Sequence, residues 1–360
     1  MRKAIRLARR TGASTLPNPR VGCIIVKDGE VVGRGYHKHP GLPHAEIEAL
    51  QRAGERALGS TLYVTLEPCC HFGRTPPCTE AIINAGVQRV VYAVKDSNPR
   101  VRGRGVIQLR RANLQVEGGV CAQEAKLANE PYFKFMATEL PFITIKVAAT
   151  LDGKIATVRK EAKWITDTRA RTMGRGLRME NQAVLVGIGT VLVDDPHLGA
   201  RNKDLHNPWR VVLDSRLRIP LNAQVVKSKK LIVAVTEGAS NRKKLALQDC
   251  GVEVWRFPGK HHVPLKALLR KLARRGIISI LVEGGGKILG SFFDQKLVDK
   301  IHWFLSPKII GAADAISAIE GNRVTRLVDA MDLKVTDFSQ VGKCWHLTAY
   351  PKKQKLKLVD

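Results

Sequence analysis

The triplet His44-Ala45-Glu46 and the loop EPCCHFGRTPPC, residues 67–78, place two imidazoles, two carboxylates and three thiols within one short stretch of chain. A zinc ion that activates water takes three nitrogen or sulfur ligands from the protein and keeps a fourth position open. A nearby carboxylate that does not bind the metal can carry protons between water and a leaving group. His44 would be the nitrogen ligand, Glu46 the proton carrier, and Cys69, directly after Pro68, the first thiolate. The second thiolate is Cys70 or Cys78. Adjacent cysteines project in different directions from most backbones, so Cys69 and Cys70 make a poor pair for one tetrahedral ion. Cys78 precedes the helical sequence TEAIINAG, and a helix start favours a thiolate. The expected ligands are therefore His44, Cys69 and Cys78. Singly, His44 and Glu46 read as ordinary helix residues; the ordered set points to a metal.

Those residues need a scaffold, and the surrounding pattern supplies one. A basic amphipathic helix at Arg2–Arg10 leads into the β-branched run VGCIIV and its hairpin partner VVGRGY. HAEIEALQRA has helical spacing, with Pro43 just ahead of it as a start signal. TLYVTL reads as a strand, TEAIINAG as a helix ended by Gly86, and VQRVVYAV as another strand. This alternation predicts a three-layer α/β domain. AQEAKLANEPYFKFMATELP is a helical connector, and a new strand begins at PFITIKVAATLDGKIA. AVLVGIGTVLVDDP, WRVVLDS, KLIVAVTE, VEVWRF, ISILVEGGG and IHWFLSPKII read as further strands. A boundary near Leu140–Pro141 gives domains 1–141 and 142–360, as the length of 360 residues suggests.

Composition bounds the function classes. A hydrophobic fraction of 44% allows a core in each half, and no apolar run reaches a membrane span. MRKAIRLARR lacks the apolar segment of a secretory signal, so the expected location is the cytoplasm. Seven cysteines in such a chain point to metal or catalysis rather than a disulfide scaffold. The scattered Cys23, Cys121, Cys250 and Cys344 are expected to be small buried hydrophobes. The net charge of +28 raises nucleic acid as a partner, but the excess is spread over both halves and only 5% of residues are aromatic. A solvated basic surface that attracts anionic small molecules is favoured over a nucleic-acid interface.

His-x-Glu followed by Pro-Cys is the signature of zinc nucleobase deaminases. The second cysteine comes later here than in the usual Pro-Cys-x-x-Cys. With PNPRVGCIIV, GYHKHPGLPHAE and KDSNPRVRGRG in order, EPCCHFGRTPPC resembles the bifunctional riboflavin-biosynthesis deaminase/reductase family. The resemblance implies a cytidine-deaminase-like domain followed by a dihydrofolate-reductase-like α/β domain. It implies zinc-dependent hydrolytic deamination of 2,5-diamino-6-ribosylamino-4(3H)-pyrimidinone 5′-phosphate, and then NADPH-dependent reduction of the ribosyl chain to ribityl. Asn18, His37, Arg74 and Thr75 match positions expected near the first substrate.

KVAATLDGKIA, WIT, LVGIGTVLVDDPHL, VVLDSRLRIP and ISILVEGGGKILGSFF extend the match through the second half. Three consecutive glycines between a strand and a helix let backbone N–H groups approach a phosphate. Carried over by position, Ala148, Trp164, Thr190, Asp194, Ser215, Gly285, Gly286 and Gly290 would bind NADPH. Ala162, Arg178, Leu198, Arg201 and Glu283 would line the substrate pocket, arginine suiting a phosphorylated ligand. Homo-oligomerisation through the reductase half is a further expectation of the resemblance. Two departures stand out. Cys70 takes the place of a serine, and Lys160-Glu161-Ala162 stands where the family has Gly-Glu-Ser, so Ala162 lacks a hydroxyl.

Overall fold

The computed structural model describes residues 1–73, 75–200 and 207–352. The described residues divide into two compact units, 1–139 and 140–352.

The first unit is built on five strands: β1 (Gly22–Lys27), β2 (Glu30–Tyr36), β3 (Thr61–Val64), β4 (Arg89–Tyr92) and β5 (Gln115–Gly118). They lie in the order β2-β1-β3-β4-β5. The β1–β2 and β1–β3 pairings are antiparallel and the others parallel. Helix α1 (Arg2–Ala8) covers one face, and α2 (Ala45–Ala53) the other. Close approach explains the small residues at both contacts. A Cβ on Gly22 would lie 2.1 Å from the Ala4 carbonyl oxygen; on Gly33 and Gly35 it would lie 2.3 and 2.0 Å from the carbonyls of Ala49 and Ala45. Ala45, Ala49 and Ala53 recur every four residues and face those strand glycines, so α2 sits almost on the sheet. That contact fixes the height of His44 and Glu46. Helices α3 (Cys78–Asn84), α4 (Arg104–Arg111), α5 (Ala122–Ala128) and α6 (Glu130–Thr138) follow, the last two forming the expected connector.

The second unit begins with β6 (Phe142–Thr150), β7 (Lys154–Ala156) and helix α7 (Thr168–Glu180). β8 (Ala183–Gly187), helix α8 (Ile188–Asp194), β9 (Trp209–Leu213), β10 (Leu231–Thr236), α9 (Asn241–Asp249) and β11 (Glu253–Phe257) come next. The chain then forms α10 (Leu265–Arg274), β12 (Ser279–Gly284), α11 (Gly286–Asp294), β13 (Lys300–Ser306), β14 (Ile316–Ser317), β15 (Leu333–Val341) and β16 (Cys344–Pro351). Nine of these strands form one sheet, in the order β11-β10-β9-β8-β12-β6-β13-β16-β15. It is parallel from β11 to β13, and its two faces carry separate apolar clusters. β16 joins antiparallel at β13 and pairs with β15 as a hairpin.

Two expectations need correction. The apolar run at 183–194 is not one strand: it turns at Gly187 and continues as α8. Cys250 is exposed and Cys121 half-buried, whereas Cys23 and Cys344 are buried as expected. Among the described residues, no helix is long and apolar enough to cross a membrane.

Candidate functional site

Three elements deliver the first site. His44 caps the N-terminus of α2, Cys69 sits in the loop after β3, and Cys78 is the first residue of α3. One ligand atom from each lies within 4.8 Å of the other two. His44 Nδ1 is 3.2 Å from Cys78 Sγ and 3.5 Å from Cys69 Sγ. Tetrahedral zinc bonds of roughly 2.1 Å to nitrogen and 2.3 Å to sulfur would set nitrogen–sulfur edges of about 3.6 Å. The donor set and its spacing therefore fit zinc. Cys70 points away, its sulfur 3.8 Å from the Arg100 carbonyl.

The surroundings favour a thiolate at Cys69. The Cys78 backbone N–H, at the start of α3, donates to Cys69 Sγ at 3.4 Å. Hydrogen bonding from the Cys78 side chain, with help from His44, holds the Cys69 thiol down at about 4. Glu46 is buried on α2 and bonded to the Cys78 side chain. Burial pushes its carboxyl up to about 7, against the pull of His44. It is thus poised to exchange a proton near neutral pH.

His37 and Asn18 flank the site as a pair. Asn18 Nδ2 lies 3.1 Å from His37 Nε2, and His37 Nδ1 lies 3.1 Å from the Pro43 carbonyl. The His37 ring meets His44 edge-on at 5.2 Å, and burial lowers its pKa. Thr75 Oγ1 reaches His44 Nε2 at 3.2 Å. Arg74 lies outside the described residues.

In the second unit a cavity of about 1130 Å³ opens beside the C-terminal ends of β6, β8, β9 and β12. Ligands in open parallel sheets bind at that end of the strands. Ala148, Ala162, Trp164, Thr190, Asp194, Ser215, Gly285, Gly286 and Glu283 all line it. Trp164 is 62% exposed although it lines the cavity, and Arg171 covers its ring at 4.3 Å. Arg178, Leu198 and Gly290 are not among the lining residues. Arg178 instead grips Glu283, Leu198 is buried in the core, and Gly290 packs against backbone. Arg201 lies outside the described residues.

Comparison with known proteins adds the remaining observation. Residues 1–94 match the cytidine and deoxycytidylate deaminase zinc-binding region, and residues 141–347 match the RibD C-terminal domain. The riboflavin biosynthesis protein RibD of Aquifex aeolicus is 46% identical over 86% of this chain and 87% of its own. The chain belongs to the RibD family. A solved RibD from Acinetobacter baumannii superposes with a TM-score of 0.89 at 37% identity, covering 97% of both chains. A Thermotoga maritima protein described as a diaminohydroxyphosphoribosylaminopyrimidine deaminase/5-amino-6-(5-phosphoribosylamino)uracil reductase superposes at 0.86 and 35% identity, covering 98% of this chain and 97% of its own.

Several lining residues in this RibD-family chain went unnoticed in the sequence. Lys146 interrupts the apolar strand FITIKVAAT, and that interruption was the available signal. Burial lowers its pKa while Glu283 opposes the shift. Arg216 and Arg218, within VVLDSRLRIP, add a basic side to the cavity together with His261 and His262, from a segment that carried no motif.

Proposed function

We propose how this bifunctional riboflavin-biosynthesis enzyme divides its two reactions between the units. Residues 1–141 form the deaminase and residues 142–360 the reductase. His44, Cys69 and Cys78 hold zinc, which supplies the Lewis acidity that makes a water nucleophilic near neutral pH. Glu46 takes the proton from that water and delivers it to the departing ammonia as the pyrimidine loses its amino group. Its burial and its carboxyl value of about 7 suit both halves of that transfer. Asn18 and His37, tied to each other, present a neutral polar edge to the substrate. Arg74 would meet its phosphate.

In the reductase, bound NADPH would supply the hydride that adds to ribosyl C1′ once the C1′–O4′ bond has opened, a proton going to the former ring oxygen, so that C1′ becomes a ribityl CH₂. Ala148, Trp164, Thr190, Asp194, Ser215 and the backbone at Gly285–Gly286 bind the cofactor. Arg216, Arg218 and the adjacent histidines favour the extra phosphate that distinguishes NADPH from NADH. Glu283 accepts hydrogen bonds from the sugar hydroxyls, held by Arg178 and flanked by Lys146. Ala162 and Arg201 line the sugar-phosphate side, and Leu198 supports it from the core. The product is 5-amino-6-(5-phosphoribitylamino)uracil. The enzyme works on a free small molecule in the cytoplasm, as a homo-oligomer joined through the reductase half.

The observation that carries the deaminase reading is the convergence of one imidazole and two sulfurs beside a buried carboxylate. Ammonia release by the full-length, zinc-loaded protein tests it. The free ribosylaminopyrimidine phosphate is the expected substrate; release from cytosine in RNA or DNA, and none from the free compound, would assign the site to nucleic acid.

A further inference from the structure

The two nitrogens of His44 face different neighbours. Nδ1 lies 3.2 and 3.5 Å from the sulfurs of Cys78 and Cys69; Nε2, on the outer edge of the ring, lies 3.2 Å from Thr75 Oγ1. A neutral imidazole carries one N–H, and a nitrogen that gives its lone pair to a metal cannot be the one that keeps the proton. With Nδ1 turned towards the sulfurs, the proton belongs on Nε2, and the Thr75 hydroxyl oxygen is the acceptor beside it.

We propose that Thr75 is a positioning residue for the metal ligand His44. Its hydroxyl accepts the Nε2–H, fixes the tautomer, and keeps the Nδ1 lone pair aimed between Cys69 and Cys78. The inference rests on the zinc reading above, and it replaces a direct contact between Thr75 and the pyrimidine.

The local chain supports that role. Thr75 is half-buried, and its carbonyl accepts the Gly73 N–H at 3.2 Å. Pro76 and Pro77 connect it to Cys78, and Pro77 caps α3 with φ −65°. Proline fixes that angle, so a stiff segment delivers both a sulfur ligand and the hydroxyl that orients the nitrogen ligand. His37 packs edge-on against His44 at an interplanar angle of 81°, adding a second restraint on the ring. Thr75 is one of the eight residues that separate Cys69 from Cys78.

Groups that accept the second N–H of a metal-bound histidine typically contribute 10–100-fold to metal affinity. The test uses full-length protein with Thr75→Val, Thr75→Ala and Thr75→Ser, measuring zinc affinity against a chromophoric chelator. The KM for the ribosylaminopyrimidine phosphate is measured at saturating zinc. Thr75→Val and Thr75→Ala should bind zinc about 10–100-fold more weakly, while Thr75→Ser, which keeps the hydroxyl, stays near the parent. Excess zinc should then restore most of the ammonia release lost at limiting zinc. Unchanged zinc affinity with a raised KM would overturn the proposal and return Thr75 to the substrate. A parent protein that binds no zinc in the same titration would instead refute the zinc reading beneath it.

Discussion

Arg178 holds Glu283 through both arms of its guanidinium, Nε to Oε1 at 2.6 Å and Nη2 to Oε2 at 2.8 Å. The side chains retain only 16% and 10% exposure, and α7 and β12 supply one partner each. Burial opposes ionisation of Glu283, but Arg178 and Lys146 outweigh it and hold the carboxyl below its ordinary value. Removing one member of a buried pair strands the other, at a cost of about 3–5 kcal/mol. Arg178→Ala should therefore lower the urea midpoint of the reductase unit and impair NADPH oxidation together. Arg178→Lys keeps the charge but loses the fork, and should fall between. A midpoint unchanged in Arg178→Ala would show that the pair contributes nothing net.

Glu46→Gln keeps the shape of a buried side chain and removes its proton traffic. Ammonia release should fall roughly 10²–10⁴-fold, the usual contribution of general acid–base catalysis. Zinc content, measured by metal analysis of the purified variant, should stay at the parent level if Glu46 carries protons and does not bind the metal. Loss of the metal with the activity would move Glu46 into the coordination sphere.

Gly290 sits in a tight backbone contact. A Cβ there would lie 2.1 Å from the Glu320 carbonyl oxygen and 2.5 Å from the Gly321 nitrogen, both backbone atoms that cannot swing aside. Gly290→Ala should destabilise the reductase unit at the upper end of the ~1–3 kcal/mol typical of overpacking. The Kd for NADPH of the fraction that remains folded should match the parent. A Kd raised without a change in melting would place Gly290 at the cofactor after all.

His302 on β13 and His346 on β16 stack at 5.1 Å, with His302 Nδ1 lying 2.9 Å from His346 Nε2. Burial, then Lys300 and His346, lowers the His302 pKa from 6.5 to about 3. The unfolded chain therefore takes up a proton at a pH where the folded chain does not. The stability is fully present above the unfolded value of 6.5 and is lost as pH falls towards 3, at up to ~1.4 kcal/mol per pH unit for one such imidazole. Denaturant titrations from pH 8 to pH 5 should show this decline in the parent and a shallower one in His302→Gln. Parallel declines would mean that other groups govern the pH response.

The missing hydroxyl at Ala162 makes a graded prediction. Ala162 and Lys160 both line the cavity. Restoring one neutral hydrogen bond is worth ~1 kcal/mol, or about fivefold in rate. Ala162→Ser should raise kcat/KM for NADPH oxidation by about that factor. No gain would indicate that the loop containing Lys160 has already compensated.

Most of the strands and the cluster of His44, Cys69 and Cys78 could be read from the sequence because their signals are local. His44-Ala45-Glu46 and Cys78 sit at helix starts, and VGCIIV with VVGRGY is a hairpin pattern bounded by Asp28-Gly29. Residues 183–194 misled because a buried strand and a buried helix are both apolar throughout, and periodicity cannot separate them over so short a run. The β15 strand was missed for the opposite reason: Leu333–Val341 is mostly exposed and shows no buried alternation. The relationships that orient the sites were out of reach. Arg178 and Glu283 are 105 residues apart in sequence, and Thr75 and His44 are 31 apart. Only the assembled sheets and the closed loop bring them into contact.

The most direct test of two coupled chemistries in one chain is NADPH oxidation by the zinc-loaded protein and its Glu46→Gln variant. Each is given either the diaminopyrimidine ribosyl phosphate or its deaminated uracil counterpart. The parent should oxidise NADPH with both compounds, whereas Glu46→Gln should do so only with the uracil. Oxidation by Glu46→Gln on the diaminopyrimidine, at the parent rate, would contradict the order of deamination before reduction.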